Sequence, residues 1–261
     1  MFLRPAGTLC CSPVEIRAGP PHVDFIGVAL RTVSPVETWK LLRLPLAAFG
    51  VGYACLAALA PVIAPRLIYY PQFGSHRAPD GLRRIPGEYG DLVLLYLPNP
   101  GAQFTLWYFH GNAEDLGDIE PVLHEFQEAG FAVFAMEYPG YGQSAGRPSE
   151  QAIYAAARAA RRYLREELRV PAEQTLYYGH SLGGGPAVQM ALEENAGGLV
   201  LHSTFMSAFR VMTRWPLLPF DQFENLSKLP RVKCPVLVLH GTADVVISLP
   251  HGEALFAAAG R

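Results

Sequence analysis

Apolar and polar positions divide the chain into three stretches. Residues 1–40 mix Pro, Gly and Arg and keep no sustained period, so a poorly ordered tail is expected over 1–40. The next stretch, Leu44 to Pro65, contains no charged residue and is bracketed by Lys40 and Arg43 before it and Arg66 after it. A helix rises about 1.5 Å per residue, so roughly 22 residues cover about 33 Å, close to a ~30 Å hydrocarbon core. A single membrane anchor is therefore expected over 41–66, with 44–65 in the bilayer. Two other readings stay open. Ala58-Leu59-Ala60 looks like a secretory cleavage site, although Pro61 directly after it is unfavourable. The stretch could also be a helix packed on the domain. Basic residues flank both sides, so orientation is not fixed.

From Leu67 onward short apolar runs alternate with amphipathic stretches, the pattern of a parallel α/β sheet. Strands are expected at Asp91–Leu97, Phe104–Phe109, Phe131–Glu137, Thr175–Tyr178, Gly198–His202 and Val236–His240. Helices are expected at Ile119–Ala129, from a Ser149 cap to about Leu168, over Pro186–Leu192 and from about Gly252 onward. The connection 204–232 carries Pro216, Pro219 and Pro230, with Trp215, Leu217, Leu218 and Phe220 as candidate pocket or packing residues.

Composition narrows the class. Half of the 261 residues are hydrophobic and 17% are charged, which supports a large core and argues against general disorder. A net charge of −2 argues against nucleic acid as a main partner. The four cysteines, Cys10, Cys11, Cys55 and Cys234, have no metal-ligand spacing and no disulfide framework. No metal motif and no dinucleotide or phosphate-binding glycine loop follows the first strands, so no metal and no cofactor are expected.

The candidate chemistry centres on Gly179-His180-Ser181-Leu182-Gly183. It follows the apolar run Thr175–Tyr178 and precedes a helical one, and strand, sharp turn, helix is the context this motif needs. A serine at such an elbow sits in a strained backbone conformation, so its neighbours must be small. The turn lifts the hydroxyl above the strand end, where the following helix points its free N–H groups.

Three further motifs end predicted strands in order: His110-Gly111-Asn112-Ala113, Tyr138-Pro139-Gly140-Tyr141-Gly142-Gln143-Ser144 and His240-Gly241-Thr242-Ala243-Asp244. With the elbow they make residues 67–261 resemble an α/β-hydrolase domain, similar to the small serine hydrolases of the serine aminopeptidase-like group. That group includes membrane-tethered bacterial hydrolases and eukaryotic depalmitoylating thioesterases, and a bacterial source is expected from it. The segment Pro219–Asn225 adds to the similarity.

The resemblance implies Ser181 as nucleophile and Asp244 as the acid that orients a base histidine. It implies an oxyanion hole from the backbone N–H groups of Leu182 and Asn112, with Ala113 as the one-position alternative to Asn112. A small-molecule or lipid acyl ester or thioester is the implied substrate, with no cofactor. The family's triad runs Ser, acid, His in chain order, and the histidine follows one more strand. Here the only histidine after Asp244 is His251, seven residues on with no intervening strand. The last strand and the catalytic histidine are thus expected to be missing from these residues. Two classes follow: an ester or thioester hydrolase, or an inactive fragment or pseudo-hydrolase that keeps the fold and binds a ligand or partner.

Overall fold

A computed structural model describes residues 35–213 and 220–260. The expected tail falls outside the described residues over 1–34. From Pro35 the chain is helical, so helix precedes the expected anchor start at 41. This helix, α1, runs Pro35–Ile68 and continues through Pro45, Pro61 and Pro65. Its segment Arg43–Ala60 is long and apolar enough to cross a membrane, and none of it is buried. The contact pattern separates Met1–Val51 from a second unit, Gly52–Arg261, which holds the sheet.

The second unit contains β1 (Arg83–Ile85), β2 (Leu92–Leu97), β3 (Thr105–Phe109), α2 (Leu116–Glu128), β4 (Ala132–Met136), α3 (Glu150–Glu166), β5 (Thr175–His180), α4 (Gly184–Glu193), β6 (Gly198–His202), the short α5 (Asn225–Lys228), β7 (Val236–Leu239) and α6 (Leu249–Ala258). The sheet order is β1-β2-β4-β3-β5-β6-β7. Pairings at β1–β2 and β2–β4 are antiparallel, and all others are parallel.

The central strands are uniformly apolar because both faces are covered, as parallel strands require. Trp107, Phe109, Phe134 and Tyr177 fill one face with residues of α3, α4 and α6. Leu106, Tyr108, Val133 and Ala135 fill the other with Leu116, Ile119 and Leu123 of α2. Local signals agree with the ends of these helices. Asp115 and Asp118 form a reciprocal capping box on α2, and Ser149 accepts from the Ala152 amide on α3. Helix α6 starts at Leu249 rather than near Gly252, and Pro250 suits its first turn.

Among the described residues β7 is an edge strand. Its Leu237 and Leu239 are 53% and 40% exposed, while α6 packs on its other face. Parallel register sets the carboxyl ends of β3, β5, β6 and β7 side by side: Phe109 pairs Gly179, His180 pairs His202, and His202 pairs Leu239. All the motif residues stand on this one rim.

Candidate active site

The elbow has the strain its sequence demands. Ser181 has φ of +52°, a left-handed value costly for a residue with a Cβ. Packing holds it there. A Cβ on Gly179 would meet the Gly183 oxygen at 2.6 Å, and one on Gly183 would meet the Phe109 oxygen at 2.0 Å. The Thr204 hydroxyl donates to the Ser181 carbonyl oxygen at 2.7 Å, fixing the peptide just past the strained residue. The Ser181 side chain has no hydrogen-bond partner among the described residues.

Ser181, Leu182 and Asn112 line one cleft of about 200 Å³. Its walls are otherwise apolar, with Ile68, Phe205, Val211 and Ile247 among them. Tyr70, two residues past the end of α1, also lines it. The Tyr70 amide donates to Asn112 Oδ1 at 3.1 Å, and the Tyr141 hydroxyl donates to the same oxygen at 2.8 Å. The Asn112 side chain is thereby tied to the chain leaving α1 and to the glycine-rich loop after β4.

A buried ion pair supports that loop. His110 and Glu137 are almost fully buried, with Nε2 and Oε1 3.0 Å apart. His110 Nδ1 lies 2.8 Å from the Gly111 oxygen, whereas Nε2 and Glu137 Oε1 approach as charges without hydrogen-bond alignment. Burial alone would lower the His110 pKa, but Glu137 and the Gly111 carbonyl outweigh it and hold the pKa above the ordinary value. The other Glu137 oxygen accepts from the Leu116 amide at 3.0 Å, tying the start of α2 to the same pair.

Asp244 stands in the turn after β7 and accepts from the Val246 and Ile247 amides, each at 2.9 Å. Desolvation raises its pKa, but these amides, Ser203 and nearby His240 outweigh it and hold the carboxyl below its usual range. Val246 and Ile247 line the cleft; Asp244 itself does not.

The described histidines near this rim each hold a contact away from Ser181. His180 Nδ1 meets Glu114 at 3.2 Å, and His202 Nδ1 meets the Tyr178 hydroxyl at 2.8 Å. His240 lies 3.8 Å from Asp244, but its Nε2 is 2.7 Å from the Ile247 oxygen, and it is covered by Gly252 of α6. His251 is buried, and its Nδ1 accepts from the Met206 amide at 3.1 Å. No described imidazole contacts the Ser181 hydroxyl.

The structure therefore brings Ser181, Leu182 and Asn112 together and leaves Asp244 off the cleft wall, two residues before Val246. Trp215, Leu217 and Leu218 lie outside the described residues, and Phe220 packs on Phe209 with ring centroids 6.3 Å apart. Sequence reasoning missed Tyr70, Tyr141 and Thr204 as supports. Tyr141 sits inside a quoted motif, but nothing local to it points to Asn112.

Known proteins resemble this chain in sequence and in fold. The serine aminopeptidase S33 family model matches residues 101–224. The chain is 44% identical over 168 residues to the α/β-hydrolase domain-containing protein aho-3 of Caenorhabditis elegans, covering 61% of this chain and 49% of that protein. It is 37% identical over 161 residues to α/β-hydrolase domain-containing protein 17B of Homo sapiens, covering 60% and 56%. The chain thus spans about half the length of the curated relatives it matches. Among solved structures, an α/β hydrolase from Vibrio vulnificus superposes with a TM-score of 0.56 at 24% identity, covering 68% of each chain. A Pyrococcus furiosus esterase superposes with 0.57 at 16% identity, covering 68% and 77%. The chain has the α/β-hydrolase fold. Within it, the likeness runs to the domain-containing proteins of the aho-3 and 17B type. Those relatives are animal proteins and give no support to a bacterial source.

Proposed function

We propose that this site is built to cleave an ester or thioester through an acyl-serine intermediate. The observation that carries the reading is Ser181: strained at an elbow, unbonded at its hydroxyl, and open to an apolar cleft shared with Leu182 and Asn112. In the proposed step Ser181 Oγ attacks the acyl carbon and gives its proton to a base. The carbonyl oxygen becomes an oxyanion facing the Leu182 and Asn112 N–H groups, each such donor being worth about 2.7–4 kcal/mol in comparable hydrolases. Collapse expels the alcohol or thiol, which takes the proton back. Water then attacks the acyl-serine by the same route and releases the acid. Asp244, ionised by its amide donors, has the character of an orienting acid for an imidazole.

Among the described residues no general base stands against Ser181. No described histidine hydrogen-bonds the Ser181 hydroxyl, which favours the second reading for the 261-residue chain assayed alone: a site that binds but turns over slowly. Removing the base in a comparable triad costs on the order of 10⁶-fold, leaving roughly 10³–10⁴ over water. The expected outcome is weak p-nitrophenyl ester hydrolysis and weak fluorophosphonate labelling, both raised by added imidazole and both abolished by Ser181→Ala. Labelling that survives Ser181→Ala sinks the nucleophile assignment. Ordinary esterase turnover abolished by His251→Ala would show that His251 is the base.

A further inference from the structure

Beside the Ser181 cleft lies a second cavity of about 680 Å³. The two spaces share Val211 and Met212 as a common wall. The chemistry of the second differs from that of the cleft. Arg210, Thr213, Ser248 and His251 contribute to its lining, and no acidic side chain does so among the described residues.

Arg210 is the unusual member. It is partly buried, yet it has no carboxylate partner among the described residues. Its one side-chain hydrogen bond there runs from an Nη to Met206 Sδ at 3.6 Å, and its Nε is buried without a partner. A thioether is a weak acceptor, so this guanidinium keeps most of its donor capacity unused. A planar fork of charged donors matches carboxylate and phosphate oxygens, and burial strengthens that match.

A second, independent feature favours the same charge. Helix α6 begins on the cavity wall, with Ser248 at its N-cap and no side-chain capping bond there. Its first turn carries no acidic residue. The positive end of the helix dipole is thus left without an anion. His251 adds order rather than charge. Burial holds its pKa below the ordinary value, and its Nδ1 accepts from the Met206 amide, four residues before Arg210.

We propose that the Arg210 cavity binds an anionic oxygen group, phosphoryl or carboxyl, carried on the molecule whose apolar part occupies the Ser181 cleft. The site would take an amphiphile whose charged head lies across the Val211–Met212 wall from the reacting serine. The proposal rests on the cleft accepting an apolar group, not on Ser181 acting as a nucleophile.

The test uses the full 261-residue chain in nanodiscs of zwitterionic lipid, with butyl phosphate, butanol and inorganic phosphate titrated by calorimetry. Butyl phosphate is expected to bind about ten-fold or more tightly than either of the others, the gain of one charge-assisted contact. Arg210→Gln should remove its advantage over butanol, Arg210→Lys should keep part of it, and Ser181→Ala should leave it intact. Ser181→Ala separates this site from the hydrolase reading, since it abolishes labelling but not binding. Butanol binding as tightly as butyl phosphate would overturn the proposal. Undiminished binding by a folded Arg210→Gln protein would do the same. Inorganic phosphate binding as tightly as butyl phosphate, with loss in Arg210→Gln, would mark a free-anion site and overturn the link to the cleft. If Arg210→Gln does not fold, the three ligands on the parent chain and on Arg210→Lys still decide.

Discussion

His110 and Glu137 show how much of the site's rigidity rests on two side chains that take no part in its chemistry. The pair lies under the loop that carries Asn112, and its partners tie the ends of β3 and β4 to the start of α2. Removing one member of a buried pair leaves the other charge uncompensated, at about 3–5 kcal/mol. Glu137→Gln keeps the shape and removes the charge, so a loss near 3 kcal/mol is expected, roughly 6–12 °C in melting midpoint for a domain of this size. The pH dependence has a definite sign. The folded His110 pKa is raised, so its contribution is complete below the unfolded value of about 6.5 and fades as pH rises through the folded value. The melting midpoint should fall as pH rises above the ordinary histidine value, and this component should vanish in Glu137→Gln. A nitrogen-15 titration placing the folded His110 pKa at or below that of an ordinary histidine would contradict it.

At the scale of elements, β7 is the strand expected to drive self-association. Its outer edge is unpaired among the described residues, and Leu237 and Leu239 project from the face that α6 does not cover. An apolar strand edge of this kind recruits other chains. The double substitution Leu237→Lys and Leu239→Lys is expected to lower concentration-dependent light scattering without moving the melting midpoint by more than about 0.5 kcal/mol equivalent, the usual range for surface changes. Unchanged scattering would place the self-association elsewhere.

Elements were also where the sequence was most readable. Helix α3 announces itself through Ser149 and the elbow through Gly179 and Gly183, because each depends on neighbours a few residues away, whereas α2 begins at Leu116 under an Asp115 cap, three residues before the expected Ile119. Sheet order was not readable in that way, since parallel partners such as Trp107 and Tyr177 carry no local mark of their pairing. The same limit hid the supports of the site. Tyr70 and Tyr141 reach Asn112 across 42 and 29 residues. Arg210 reads in sequence as one arginine in a loop, and only its lack of a carboxylate partner among the described residues makes it notable.

For the whole molecule, we propose that α1 holds the domain at a membrane. Deletion of 41–66 is expected to move the protein from the membrane fraction to the high-salt supernatant. Recovery of the intact chain in that supernatant without detergent would rule the anchor out. If α1 does span a bilayer, its junction with the cleft has a kinetic consequence. Leu67, Ile68 and Tyr70 form part of the wall around Ser181, so the helix ends where the substrate must arrive. Encounter then becomes a search in two dimensions, and the governing quantity is substrate per unit of lipid rather than substrate per litre. Ser181-dependent labelling by a lipid-tailed fluorophosphonate should slow when inert lipid is added at fixed total probe, and should be insensitive to diluting the whole suspension of proteoliposomes with buffer.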